Sequence, residues 1–122
     1  MYDFGDRVVA VTGGAGVLCG EMVAALAGCN ARVAVIDRVP EEAARLTEEA
    51  DIPERSLMVL GGDVLQRESM EEAAAAIVAE WGTVDCLING AGGNRPDATT
   101  GDRTPFFDLP AEALRFVADL NF

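Results

Sequence analysis

Four times along this chain a short, largely apolar run stops at a glycine, an acid or an amide. Arg7–Thr12 (RVVAVT) stops at Gly13-Gly14 and Arg32–Ile36 (RVAVI) at Asp37. Ser56–Leu60 stops at Gly61-Gly62-Asp63, and Val84–Ile88 at Asn89-Gly90. The first reads as a buried strand of a parallel sheet, and the other three as further strands. The stretches between them have helical spacing. Val17–Ala27 carries Val17, Leu18, Met22, Val23 and Leu26, and Gly28 ends it. Pro40 opens a helix over Glu41–Ala50, since proline suits a first turn. Arg67–Trp81 is alanine-rich, with Met70, Ala73, Ala74, Ile77, Val78 and Trp81 expected on its inner side. Strands alternating with helices predict an α/β fold built on a parallel sheet with right-handed crossovers.

After the fourth strand, Asn89–Gly93 reads as a glycine-bearing turn and residues 93–105 as a polar loop. From Pro110 a helical pattern runs through Leu114, Val117 and Leu120 to Phe122. No internal repeat or linker divides the 122 residues, so a single domain over 1–122 is expected.

Charge narrows the chemistry. With 21 acids against 9 bases the net charge is −12, which repels phosphate backbones and anionic membranes. Runs such as Glu41–Glu42, Glu48–Glu49 and Glu68–Glu72 read as solvated helix faces. All nine bases are arginine; lysine and histidine are absent. No Lys Schiff base, P-loop lysine or His general base can act from within these residues. Cys19, Cys29 and Cys86 form no C-x-x-C pair and read as small core residues in a reducing compartment, with no zinc site. Asp3 and Asp6 lie where a signal peptide would be basic, and no apolar run approaches the ~20 residues of a membrane-spanning helix. A cytoplasmic location is expected.

Two motifs carry chemistry. Thr12-Gly13-Gly14-Ala15-Gly16-Val17-Leu18-Cys19-Gly20 joins the first strand to the first helix. Glycine permits the tight turn and lets the backbone approach a pyrophosphate resting on the helix N-terminus. Asp37 ends the second strand about 20 residues beyond that loop, where a carboxylate accepts hydrogen bonds from the ribose hydroxyls of NAD and repels a 2′-phosphate. Arg38 follows directly and is able to meet such a phosphate, which leaves NADP as the less favoured cofactor.

Thr12-Gly13 with its clustered glycines, Asp37, Asp63-Val64 and Asn89-Gly90-Ala91-Gly92, each after a strand, together resemble the short-chain dehydrogenase/reductase superfamily over the whole chain. The resemblance implies a Rossmann-type doubly wound sheet in the order 3-2-1-4 with helices on both faces. It implies a nicotinamide dinucleotide held by Gly13, Gly14, Gly16, Val17, Leu18, Asp37 and Arg38. Asp63 and Val64 would contact adenine. Asn89, Ala91 and Gly92 would support the sheet and line the nicotinamide ribose. Asn121 looks like the family's helix asparagine in the proton relay. The combination of Gly-Gly-x-Gly-Val-Leu with Asn-Gly-Ala-Gly-Gly-Asn and Pro-Asp-Ala-Thr-Thr is most similar to the D-mannonate oxidoreductase (fructuronate reductase type) branch.

Two positions depart from the family pattern. The usual spacing is Thr-Gly-x-x-x-Gly-x-Gly, whereas Gly16 and Gly20 here flank Val17-Leu18-Cys19, so the pyrophosphate contact is expected to shift. The second Asn of Asn-Asn-Ala-Gly is Gly90. The family's catalytic serine and Tyr-x-x-x-Lys pair have no counterpart: the only tyrosine is Tyr2 and the only serines are Ser56 and Ser69. The expected function is therefore an NAD-dependent oxidoreductase lineage in its cofactor-binding half, inactive alone. The alternatives are a non-catalytic nucleotide-binding or interaction module, and one half of an enzyme completed by another chain. An apolar fourth-strand edge and the Leu114, Val117, Leu120 face of the last helix lead to an expectation of self-association. Arg95, Arg103 and Thr99–Thr100 lie in a loop that is able to face a sugar acid, though a solvated loop is the plainer interpretation.

Overall fold

The computed structural model describes every residue except Met1, Ala50, Asp51 and Arg103, so the expected end of the second helix at Ala50 and the loop residue Arg103 lie outside the described residues. Strands β1 (Val8–Thr12), β2 (Arg32–Asp37), β3 (Leu57–Gly61) and β4 (Cys86–Asn89) alternate with helices α1 (Val17–Gly28), α2 (Pro40–Glu49) and α3 (Arg67–Trp81), and α4 (Ala111–Asn121) follows. The four strands form one parallel sheet in the order β3-β2-β1-β4, as expected. Two compact units divide the chain, Met1–Gly90 and Ala91–Phe122.

In the first unit, the central strands are buried on both sides because their residues have apolar side chains in both phases. Val9, Val11, Val33 and Val35 share a core with Cys19 and Val23 of α1, Ala31, and Ala43 of α2. Val8, Ala10, Ala34 and Ile36 share another with Ala73 and Ile77 of α3. Alternation of side chains along a strand sends these two sets to opposite faces, so α1 and α2 cover one face and α3 the other. Each fully buried valine contributes about 1.5–3 kcal/mol relative to exposure.

The helices bury narrower stripes than their composition suggests. Of α3's expected inner residues, Met70, Ala73, Ile77 and Trp81 pack inward, but Ala74 is exposed and Val78 is 48% exposed. A helix lying on a flat sheet covers a band close to i, i+3, i+7 and i+11, and alanine and valine beside that band remain in solvent. In α1 the sheet-facing residues are Cys19 and Val23, with Leu26 and Ala27 packed against them, while Val17 and Leu18 are exposed. Of the three cysteines only Cys19 is in the core; Cys29 is half-buried and Cys86 is exposed. Cys86 stands on β4, which has β1 as its one neighbour in the sheet.

Strand boundaries differ from the expected ones by a residue or two where side chains intervene. Asp85 Oδ2 accepts the Val8 N–H at 2.8 Å, and the Asp85 N–H donates to Val8 O at 2.9 Å. A carboxylate thus joins the two segments there, and β4 proper begins at Cys86. Ser56 belongs to a 3₁₀ turn (Glu54–Ser56) ahead of β3. The N-terminal segment docks on the α1–β2 turn: the Phe4 N–H donates to Cys29 O and the Asp6 N–H to Asn30 O, both at 2.8 Å. Asn30 takes a left-handed φ of 62°, a conformation asparagine tolerates.

The second unit contains two 3₁₀ turns, Pro96–Ala98 and Phe106–Asp108, an isolated bridge between Gly101 and Thr104, and α4. Arg95 donates through Nε and Nη2 to both carboxylate oxygens of Asp97, at 2.9 and 2.6 Å. Its guanidinium lies 5.1 Å from the centre of the Phe116 ring.

Candidate functional site

Parallel pairing aligns the carboxyl ends of the strands. Thr12 pairs with Ile36 on one side and Asn89 on the other, and Asp37 pairs with Gly61. The residues that follow, Gly13-Gly14, Arg38, Gly62-Asp63 and Gly90, therefore leave the sheet along one edge. In open α/β sheets this is the edge where ligands bind.

The loop after β1 is shaped by glycine. Gly13 has φ of 68° and donates its N–H to Ile36 O at 2.8 Å. A Cβ on Gly14 would fall on Cγ1 of the buried Val35. Gly16 is the N-cap of α1, in extended conformation (φ −71°, ψ 151°), and no side chain among the described residues caps this helix start. The first turn of α1 contains no acid, whereas α2 begins with Glu41 and Glu42, α3 with Glu68 and α4 with Glu112. In a chain of net charge −12 this helix start keeps its positive dipole end and free donor geometry for an anion. Val17 (88% exposed) and Leu18 (69% exposed) stand at its mouth.

Asp37 closes onto that loop. Its Oδ2 accepts the Ala15 N–H and its Oδ1 the Val39 N–H, each at 3.0 Å. Arg38 is exposed beside it. At the β3 exit, the Gly62 N–H donates to Asp37 O at 2.8 Å, and a Cβ on Gly62 would crowd Ile36 Cγ2 and Met70 Cε. Asp63 Oδ1 accepts the Leu65 N–H and the Asp63 N–H donates to Ser69 Oγ, both at 3.0 Å, while Val64 is half-buried. At the β4 exit, Asn89 is exposed and the Gly90 N–H donates to Thr12 Oγ1 at 3.2 Å.

Gly13, Gly14, Gly16, Val17, Leu18, Asp37, Arg38, Asp63, Val64 and Asn89 thus lie in the first unit, at or next to the same sheet edge. Thr12 and Ala15 were legible only as members of the glycine loop and Ser69 carried no signal; their partners were not foreseen, with Thr12 accepting from Gly90, Ser69 from Asp63, and Ala15 donating to Asp37. Ala91, Gly92 and Asn121 belong to the second unit. There Asn121 Nδ2 donates to Gly93 O and to Val117 O, each at 2.7 Å, and Oδ1 accepts the Gly93 N–H at 3.1 Å. A Cβ on Gly92 would stand 2.8 Å from that oxygen. The Asn121 amide therefore binds the Gly93 backbone to α4. Arg95, considered for a sugar acid, has its Nε and Nη2 occupied by Asp97. Among the described residues no group of three or more His, Cys, Asp or Glu is arranged to hold a metal ion, and no helix is long and apolar enough to cross a membrane.

Comparison with known proteins assigns the class. The family model for short chain dehydrogenases matches residues 7–122, and the chain belongs to that family. It is 36% identical over 124 residues to an uncharacterised oxidoreductase, UxuB, of Bacillus subtilis (strain 168), covering 95% of this chain and 45% of that protein. An uncharacterised oxidoreductase of Haemophilus influenzae is 32% identical over 131 residues, covering 99% of this chain and 46% of that one. A solved structure from Haemophilus influenza, provisionally assigned as a D-mannonate oxidoreductase and holding NAD, superposes with a TM-score of 0.88 at 31% identity, over 99% of this chain and 47% of that chain. The chain spans under half the length of these relatives. The family binds a nicotinamide dinucleotide, and its oxidoreductase lineage is this chain's own.

Proposed function

We propose that these residues form the dinucleotide-binding part of an NAD-dependent oxidoreductase. The observation that carries this is the hydrogen bond from Ala15 N–H to Asp37 Oδ2, which couples the β2 acid to a glycine loop leading into an uncapped helix start. The residues fit the cofactor: Gly13, Gly14 and Gly16 leave the loop with one small side chain, that of Ala15, and the first turn of α1 offers backbone donors to the pyrophosphate. Val17 and Leu18 supply exposed apolar surface there. Asp37 would take the adenosine ribose, with Arg38 beside it, and Asp63 and Val64 the adenine. Asn89 at the end of β4 would serve the nicotinamide ribose. When bound, the nicotinamide supplies the hydride-accepting ring.

NAD is favoured over NADP because the Asp37 carboxylate opposes a 2′-phosphate, with Arg38 exposed beside it as the opposing influence. A sugar acid is the proposed substrate class of the longer enzyme, by similarity to the D-mannonate oxidoreductase structure. Within these 122 residues the one tyrosine is Tyr2 and there is no lysine, so binding rather than turnover is the activity proposed for the chain as it stands. Three free thiols accord with a reducing, cytoplasmic setting. Exposed Leu87 (54%) on β4, with Val84 (36%) just ahead of it, supports self-association along that strand.

Calorimetric titration with NAD and then NADP, repeated on Asp37→Ala, tests the proposal. Saturable NAD binding that weakens in the variant supports it. Failure of the unaltered chain to bind either dinucleotide overturns it and favours an interaction module.

A further inference from the structure

The two departures from the family pattern, Cys19 in the glycine loop region and Gly90 after β4, are 71 positions apart in the chain and meet in space. Cys19 is the third residue of α1 and 7% exposed. A Cβ built on Gly90 would fall on its sulfur, and would also come within 2.7 Å of Thr12 O. The Gly90 N–H is bonded to Thr12 Oγ1 at 3.2 Å. The first turn of α1 therefore bears on the β4 exit through one sulfur, in the space where any residue but glycine would place its Cβ. A larger residue on the helix is matched by the smallest one on the strand exit.

We propose that Cys19 and Gly90 are a positioning pair that sets how closely the first turn of α1 approaches the β4 exit, and through it the affinity for the dinucleotide pyrophosphate. The inference rests on the dinucleotide-binding function proposed above. Removing the sulfur leaves a void under the helix start; adding a methyl at Gly90 pushes the helix start away. Because both changes act on the same gap, their effects are coupled. The lost space at Thr12 O remains in either background, so the rescue is partial.

The test is a double-mutant cycle of Cys19→Ala, Gly90→Ala and the pair, with affinities for NAD, for ADP and for adenosine measured on each. Cys19→Ser, close to cysteine in size, is the conservative control. The expected result is that Gly90→Ala weakens NAD and ADP more when Cys19 is present than in the Cys19→Ala variant, with a coupling of about fivefold or more. Adenosine, which lacks the pyrophosphate, changes by less than about twofold, and Cys19→Ser stays closer to the unaltered chain than Cys19→Ala does. Should Gly90→Ala fail to fold, the comparison of Cys19→Ala with Cys19→Ser on ADP against adenosine decides alone. NAD binding by the unaltered chain, with additive effects or equal losses for adenosine and ADP, overturns the pair. An unaltered chain that binds no dinucleotide overturns the function beneath it.

Discussion

Asp37 reaches across 22 positions of chain to take the Ala15 N–H on Oδ2, while its Oδ1 takes the Val39 N–H two residues on. One carboxylate thereby ties the end of β2 to both the glycine loop and the entry to α2. Under the proposed function, ligand recognition and loop order meet at this side chain.

Asp37→Ala removes a charged acceptor from both roles. Charge-assisted hydrogen bonds contribute about 1.5–3 kcal/mol, so NAD affinity is expected to fall about 10- to 100-fold. Asp37→Asn, which keeps one acceptor, is expected to lose less. Titration calorimetry reads both, and an Asp37→Ala chain that binds NAD as tightly as the unaltered one contradicts the assignment.

Gly14→Ala places a methyl on Val35 Cγ1, inside the core shared by α1 and α2. Overpacking of this kind destabilises by about 1–3 kcal/mol. Urea denaturation should show that loss, and Val35→Ala in the same chain should make Gly14→Ala less harmful than it is alone. Independent effects in the two backgrounds would argue that the loop sits farther from β2 than described.

Ile77 is 1% exposed under β1 and β2, and the next residue, Val78, is 48% exposed. Ile77→Val is expected to cost about 0.5–1.5 kcal/mol and Ile77→Ala about 2–5 kcal/mol. Val78→Ala should stay within about 0.5 kcal/mol of the unaltered chain. A Val78→Ala loss approaching that of Ile77→Ala would mean that α3 is rotated on the sheet.

Leu87→Lys puts a charge on the β4 edge, where 54% of the leucine is already in solvent. Sedimentation at high concentration should show self-association of the unaltered chain and its loss in the variant. A chain that is monomeric at every concentration removes the basis for pairing along β4.

Asp3 accepts the Gly5 N–H at 2.9 Å and the Asn30 amide at 3.2 Å on Oδ1. The Gly5 bond first, and the Asn30 bond second, hold its carboxyl below the ordinary carboxylate range. A lowered folded-state pKa gives stability that is present above the unfolded pKa and disappears as pH falls through the folded one. The stability gap between the unaltered chain and Asp3→Asn should therefore be open at neutral pH and close in acid below the carboxylate range. A gap that widens in acid reverses the sign and removes this role.

Most of the fold was legible because the four strands are apolar runs with clear stops and because the linking segments have helical period. Their parallel pairing and the position of Asp37 at a strand end follow from that pattern, while the order 3-2-1-4 came from the family resemblance. What the sequence does not carry is which side of an apolar helix meets the sheet. Val78 and Ala74 are as apolar as Ile77 and Ala73, and periodicity alone treats neighbours as one face. Composition places Cys86 in a core because cysteine usually lies there, but an edge strand has one covered side fewer. At the site, Asp37, Gly13 and Gly14 were legible from spacing. The tie between Cys19 and Gly90, and the Thr12, Ser69 and Ala15 bonds, join residues that only the folded chain makes neighbours.

β1 and β2 serve two cores at once, with the odd-numbered residues Val9, Val11, Val33 and Val35 on one face and Val8, Ala10, Ala34 and Ile36 on the other. A slip of β2 by one residue would exchange its faces. One of the two valines would enter the space under α3 that fits the smaller Ala34, the larger space there would lose Ile36, and Ala34 would be too small for the valine side. The same slip would turn Asp37 to the face opposite the glycine loop and break its bond to Ala15. The mismatched sizes of the two cores thus act against the alternative pairing, and the chain cannot mispair its central strands without also disarming the loop.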